Sequence, residues 1–383
     1  MADPGDAPRR AMRTLVAVLA CFGFFWGAWA VSVAEIKSSL HVSDGQFGLL
    51  LSAALLAAAA TNAVAGSLAE RWGTKTALRR SLVAWAVLLM VGAAVGAPLA
   101  LGTVLVGVVA SGGAIDVVVN VAASAALAER PGRYVRFHAR FNAGAVVGAV
   151  AVELLLQSGQ SWRWIWLAVG IMALALADQC RRVDLPAGSV GQRHGLLEAL
   201  RTIGREGYLL LAIALGTALM VEGGIDTWGV LFLRQVLASG LLIGAAAYVI
   251  GQGVATTARL TLGPAAGSLG ARRGVALGAG LTALGLTLMA VAPSAILAAI
   301  GLVVAAAGIS VCFPLLIAHV SAEVDRPALI IGGMTSIGYV GFVVGPVLVG
   351  WLADTLGLRA GLGLLAVAAL FVAVTPSRDA RQR

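Results

Sequence analysis

The stretch "GSLAERWG" at residues 66–73 returns as "GSLGARRG" at residues 267–274, with five of eight positions identical at an offset of 201 residues. A repeat at that distance in a chain of 383 residues reads as one plan used twice. Each copy stands at the polar end of an apolar run. The chain as a whole is 60% hydrophobic and 12% charged, with a mean hydropathy of +0.93. A soluble domain carries roughly 25% charged residues, so lipid is the solvent this composition fits.

Predominantly apolar stretches recur from residue 13 to residue 375. Each is close to the roughly 20 residues that cross a hydrocarbon core of about 30 Å as a helix. Twelve are expected: 13–35, 46–70, 77–97, 99–127, 136–158, 161–179, 207–233, 241–268, 274–292, 294–322, 329–353 and 359–375. The fold class is therefore an all-α integral membrane protein of twelve transmembrane helices. They form an N-terminal six-helix half (1–179), a basic linker (180–206) and a C-terminal six-helix half (207–383). The halves run parallel, because six is even.

Translocation disfavours Lys and Arg in short external loops. Placing the ends and even-numbered loops inside puts 23 of the 27 Lys and Arg in the cytoplasm, leaving Lys37, Arg163, Arg234 and Arg359 outside. Both termini are thus expected to be cytoplasmic. The net charge of +9 then has a topological origin, and no nucleic-acid partner is called for. The basic-then-apolar N-terminus imitates a signal peptide, but eleven further spans argue for a first transmembrane helix. Cys21, Cys180 and Cys312 are too scattered for a disulfide framework or a metal site and read as small apolar fillers.

With those residues in view, Gly66, Leu68, Arg71, Gly73, Lys75 and Arg80 in "GSLAERWGTKTALRR" resemble the loop signature between the second and third helices of the major facilitator superfamily. The resemblance covers essentially the whole chain. It implies a gating loop of Gly66, Glu70, Arg71, Gly73 and Lys75, with Glu70 in the place of the family's usual Asp latch. The second copy has Ala271 there, so any latch is one-sided. "VVVNVAASAALAERPGRYVRFHARFNAGAVVGA", "EGGIDTWGVLFL", "ARLTLGP" and "GYVGFVVGPVLVGWLAD" are similar to the bacterial YbjJ-like subgroup, which implies a bacterial inner membrane. On the residues alone, Gly66 permits close helix approach, Gly73 a turn, and the basic residues hold the loop inside.

Ionisable groups within spans cost at least about 2.5–3.5 kcal/mol at a helix centre, which makes each a functional candidate. Glu222 and Asp226 lie one turn apart near the middle of the seventh span, on one face. Two carboxylates so close in a low dielectric do not both ionise easily, so one can exchange a proton near neutral pH. The alternative is a structural pair bonded to neighbouring helices. Gly223 and Gly224 are expected to weaken that helix, and the repeat offset carries Gly224 to Gly23, so both helices are expected to be interrupted at a central site. Around Gly23, Phe22, Phe24, Phe25, Trp26 and Trp29 offer flat surfaces to a ligand or simply pack. Trp26 is the preferred contact, with Trp228 beside Asp226 as its counterpart.

Asp116 and Asn120 are one turn apart in the fourth span, and His138 and Asn142 open the fifth. They can form a proton relay or a buried structural network. His319 maps through the offset to residue 118, between Asp116 and Asn120. Arg259 is a buried cation, either the partner of the acids or an anion site. Glu35, Lys37 and Glu153 are expected to snorkel at the interface. Gly338, Gly341, Gly345 and Gly350 with Pro346 read as close packing and a kink.

No phosphate-binding loop and no nucleophile with its base appears, so neither an ATP-driven pump nor an enzyme is expected. Energy is expected from an ion gradient, with protons preferred, or from the substrate's own gradient, with no cofactor and no metal. The first reading is proton-coupled export of a small apolar or aromatic substrate by alternating access, in a monomer seated in the lipid bilayer. Glu222, Asp226, Asp116 and His138 then handle protons, and Trp26, Trp228, Asn120, Asn142, His319 and Arg259 contact cargo. The second is proton-linked uptake of a small polar metabolite such as a sugar or organic acid. The third is a sensor with a transporter fold that moves nothing.

Overall fold

The computed structural model describes residues 6–127, 131–185, 196–269, 271–321 and 327–375. The apolar runs form helices throughout, as they must where no water is present to satisfy the backbone. In order these are α1 (Asp6–Leu40), α2 (Asp44–Trp72), α3 (Thr74–Ala94), α4 (Pro98–Leu127), α5 (Pro131–Gln157), α6 (Arg163–Arg181) and α7 (Leu196–Arg205). They continue as α8 (Leu209–Gln235), α9 (Leu241–Leu269), α10 (Ala271–Val291), α11 (Ala295–Ile309), α12 (Cys312–Ser321), α13 (Pro327–Leu356) and α14 (Leu358–Val374). Among the described residues, ten helical stretches are long and apolar enough to cross a membrane, and Val340–Leu356 and Leu358–Val374 are shorter apolar ones.

The chain divides into two compact units. The first holds residues 1–41 and 53–192, the second residues 42–52 and 193–383. In the first, α1 packs on α5, and α3 on α4 and α6. In the second, α8 packs on α13, and α10 on α11 and α14. The α1–α5 pair is drawn in by glycines: a Cβ on Gly27 would stand 1.8 Å from the Ala145 carbonyl oxygen, and one on Gly148 would stand 1.9 Å from that of Phe24. With no Cβ in the way, the helix backbones touch.

Two of the basic residues read as external, Arg163 and Arg359, prove to be clasps. Arg163, at the start of α6, donates through Nη1 to the carbonyls of Gly92 (2.8 Å), Ala93 (3.3 Å) and Val95 (2.5 Å) at the end of α3. Its guanidinium also lies 4.7 Å from the Trp162 ring centroid. Arg359, at the start of α14, donates to the carbonyls of Ala290 (2.5 Å) and Ala292 (3.0 Å) at the end of α10, and lies 5.5 Å from the Phe232 ring. Each cation meets the orphan carbonyls and the negative end of a helix dipole.

Three expectations need correcting. The tenth span, read as continuous from 294 to 322, is broken at Ser310 and Val311 into α11 and α12. Pro314 is the cause: it lacks the N–H that would bond the Ser310 carbonyl, and its ring clashes there. The linker, read as merely polar and basic, contains α7, whose Thr202 and Ile203 are buried while Arg201 and Arg205 are exposed, and which packs on α13. Glu153 and Lys37 are buried, at 4% and 9% exposure, instead of snorkelling. Glu153 accepts a hydrogen bond from Gln157 Nε2 at 2.6 Å, a bond the sequence reading did not weigh.

Candidate functional site

In the second unit the candidate site is built on α8. Between Ala218 and Leu233 nearly every residue of this helix is buried. Asp226 is exposed and Glu222, one turn before it, is half-buried, as are Met220 and Thr227. Glu222 acts electrostatically on the thiol of Cys312, the first residue of α12, a helix that packs on α8. Asp226 acts in the same way on the phenol of Tyr248 of α9. The two acids thus act on different groups, Glu222 on a thiol of α12 and Asp226 on a phenol of α9.

Neither Tyr248 nor the break was read from the sequence. Pro314, two residues into α12, was the available signal for the break. Tyr248 gave none, since a lone Tyr in an apolar span is ordinary. The expected interruption of α1 and α8 is absent: both run unbroken through Gly23 and through Gly223 and Gly224. Their glycines serve packing. A Cβ on Gly23 would stand 2.0 Å from the Phe141 carbonyl oxygen, on Gly223 2.8 Å from the Phe342 ring, and on Gly224 2.6 Å from Leu365.

Trp228 is fully buried and meets Phe47 edge-on at 6.2 Å between centroids. Its surroundings are those of a core residue. The side chains of Arg259 and His319 lie outside the described residues.

In the first unit the aromatic cluster of α1 splits. Phe22, Phe25 and Trp29 are buried, and Phe22 and Phe25 each meet Trp85 of α3 edge-on, at 5.9 and 5.3 Å. Phe25 also touches Trp166 of α6 at 6.1 Å. Trp26 is half-buried, with its ring against Phe22 (6.1 Å) and Phe25 (5.5 Å), and keeps a free surface. Phe24 is half-buried too, and Trp26 presents a flat face between two aromatic neighbours.

On α4, Asn120 Nδ2 donates to both Asp116 Oδ1 and the Asp116 carbonyl, each at 2.9 Å, and both residues are half-buried. Asn142 of α5 is half-buried as well. The side chain of His138 lies outside the described residues. In the α2–α3 loop, Gly73 turns the chain at φ 80°, as its residue type allows. Lys75 Nζ pairs with Asp184 Oδ1 at 3.2 Å, in an exposed contact of little energetic weight. Arg71 is exposed, and the surroundings of Gly66 and the side chain of Glu70 lie outside the described residues. Cys21, Cys180 and Cys312 are buried free thiols, and among the described residues no cluster fit for a metal ion occurs.

Comparison with known proteins gives the arrangement its family. The family model described as Major Facilitator Superfamily matches residues 14–267. An uncharacterized MFS-type transporter of Yersinia pestis is 28% identical over 366 residues, covering 92% of this chain and 91% of its own. Among solved structures, a variant of the nucleoside transporter NupG has a TM-score of 0.79 at 16% identity, covering 94% of this chain and 98% of its own. A bacterial homolog of the human lysosomal transporter Spinster, inward-facing and unoccupied, has a TM-score of 0.79 at 15% identity, covering 97% of this chain and 96% of its own. The chain belongs to the major facilitator superfamily, and is accordingly a multi-pass membrane protein and a secondary transporter, not an enzyme.

Proposed function

We propose that this transporter couples proton movement to export of a small apolar or aromatic compound, with Glu222 and Asp226 as the proton-exchange sites. The observation that carries this is the pair of acids on α8, which with Met220 and Thr227 make the accessible part of a mid-helix otherwise buried. A carboxylate exposed at that depth faces water or cargo, since lipid would exclude it. The half-exposed Trp26 supplies the aromatic contact. The proton gradient is the energy source, and no cofactor is needed.

The same proposal takes the chain as twelve spans in two parallel six-helix repeats, divided at 1–179, 180–206 and 207–383. In support, the pairs α1–α5, α3–α4 and α3–α6 have the counterparts α8–α13, α10–α11 and α10–α14, and the clasps of Arg163 and Arg359 sit at equivalent helix ends. The chain is further assigned to the YbjJ-like subgroup, as a monomer in a bacterial inner membrane with both termini cytoplasmic. The excess of basic residues in the inner loops supports that orientation.

A second reading, proton-linked uptake of a small polar metabolite, has the Asp116–Asn120 pair in its favour, a half-buried polar face on α4. Vesicles reconstituted with the protein and given an imposed pH gradient separate the two. Cargo moving against the proton flow supports export, and cargo moving with it supports uptake. Under the first reading Glu222→Gln abolishes coupled movement and leaves downhill exchange of cargo, whereas undiminished proton-driven flux in this variant would sink the assignment.

A further inference from the structure

The geometry points to a binding site for one anionic glycerophospholipid on α3, with its phosphate on Arg80 and an acyl chain along the valines beyond it. The site uses only the membrane-spanning character of the chain, and stands whether or not the proposed cargo and direction are right.

Helix α3 buries Leu78, Leu82, Trp85, Ala86 and Leu89 on one side. On the other, Val83, Val87 and Val91 are exposed, at 37%, 49% and 42%. Exposed valines at this spacing form one stripe that water would not tolerate and acyl chains would. Arg80 is exposed and begins the same stripe, three residues before Val83. From Arg80 to Val91 the helix rises about 16 Å, close to the depth of one leaflet's hydrocarbon.

Arg80 is held in place for a headgroup. Trp72, the last residue of α2, is 44% exposed. The turn at Gly73 folds it back so that the Arg80 guanidinium lies 4.3 Å from its ring centroid. Stacking occupies the flat face of a guanidinium and leaves its rim of N–H donors pointing outward, the arrangement that takes a phosphate. Arg71 and Arg79, both exposed, add positive charge nearby. The ion pairs of this end of the unit include Lys75 with Asp184 and Arg181 and Arg182 with Asp178, and among the described residues neither Arg79 nor Arg80 meets a carboxylate. An indole at the end of a spanning helix also sits at the level where headgroups lie.

The second half of the chain provides a control. Helix α10 carries a matching exposed apolar stripe of Leu277, Leu281 and Leu284. Through the offset of 201, however, Trp72 becomes Arg273 and Arg80 becomes Leu281. That half has exposed arginines, Arg272 and Arg273, without the stacked pair.

Native mass spectrometry of the full chain in detergent, titrated with phosphatidylglycerol or phosphatidylcholine, tests the site. The wild type retains one phosphatidylglycerol under conditions that strip phosphatidylcholine. Trp72→Ala and Arg80→Ala each weaken that retention by about tenfold, the scale of a lost cation–π contact or charged hydrogen bond. Arg80→Lys is intermediate, and the double variant Arg272→Ala and Arg273→Ala binds as the wild type does. Val87→Ser weakens the lipid but not inorganic phosphate, which separates a lipid site from a bare anion site. Equal retention by Arg80→Ala and the wild type, equal binding of the two lipids, or displacement of the lipid by millimolar inorganic phosphate overturns the proposal.

Discussion

Glycine at position 27 shows how little room one residue leaves. A Cβ there would enter the Ala145 carbonyl oxygen at 1.8 Å, and that atom belongs to backbone and cannot swing away. Gly27→Val must therefore push α1 from α5 and is expected to destabilise the protein by about 3 kcal/mol or more, near the top of the range for overpacking. Gly253 of α9 has nothing within 4 Å of where its Cβ would stand, so Gly253→Ala should be neutral or stabilise by about 0.5–1 kcal/mol. Thermal unfolding in detergent compares the two, and equal midpoints would refute the packing account. The same residue scale shows why Gly23 and Gly224 were misread. Glycines within an apolar span look alike in sequence whether they unwind a helix or admit a neighbour, and only the partner helix distinguishes the cases. Glu222 and Asp226 stand out in the sequence because a charge in an apolar span has few explanations, while Tyr248 does not, because an aromatic residue there has many.

At the scale of elements, the ends of α3 and α10 are stabilised by arginines that begin other helices, about 70 residues further along the chain. Such long-range caps leave no local pattern, and sequence alone could only place Arg163 and Arg359 at an outer loop. Arg163 is half-buried and reaches three carbonyls, whereas Arg359 is exposed and reaches two. Arg163→Ala should therefore cost roughly 2 kcal/mol and Arg359→Ala less than about 1 kcal/mol, the difference arising from water that can replace the second set of bonds. Arg163→Lys should recover part of the loss, since an ammonium satisfies fewer carbonyls than the guanidinium fork. Thermal midpoints of the three variants check the order, and a larger loss for Arg359→Ala would contradict it. The broken tenth span belongs to this scale too: hydropathy passes smoothly over residues 294–322, and only the backbone chemistry of Pro314 divides them.

For the molecule as a whole, lipid as solvent, the apolar runs and the 201-residue repeat were legible because they are properties of composition and spacing. The allocation of α2 was not. It is one helix from Asp44 to Trp72, yet residues 42–52 group with the second unit and residues 53 onward with the first. The segment 42–52 is fixed to α13 by its own chemistry. Ser43 and Gln46 cap each other, Ser43 Oγ donates to Asp354 Oδ2 at 2.7 Å, Ser52 Oγ donates to the Val343 carbonyl, and a Cβ on Gly48 would stand 2.2 Å from the Pro346 carbonyl oxygen. Hydropathy ends a span where lipid ends and says nothing about which neighbours it holds. If transport requires this segment to leave α13, a bond joining them should stop it. Ser43→Cys with Asp354→Cys places two thiols where the side chains now meet, and the native Cys21, Cys180 and Cys312 are buried out of an oxidant's reach. Oxidation of this pair in reconstituted vesicles is expected to abolish cargo flux and a reductant to restore it, with the single variants unaffected. Full cross-linking with unchanged flux would mean that the start of α2 stays on α13 throughout the cycle, and that whatever opens the pathway does so elsewhere.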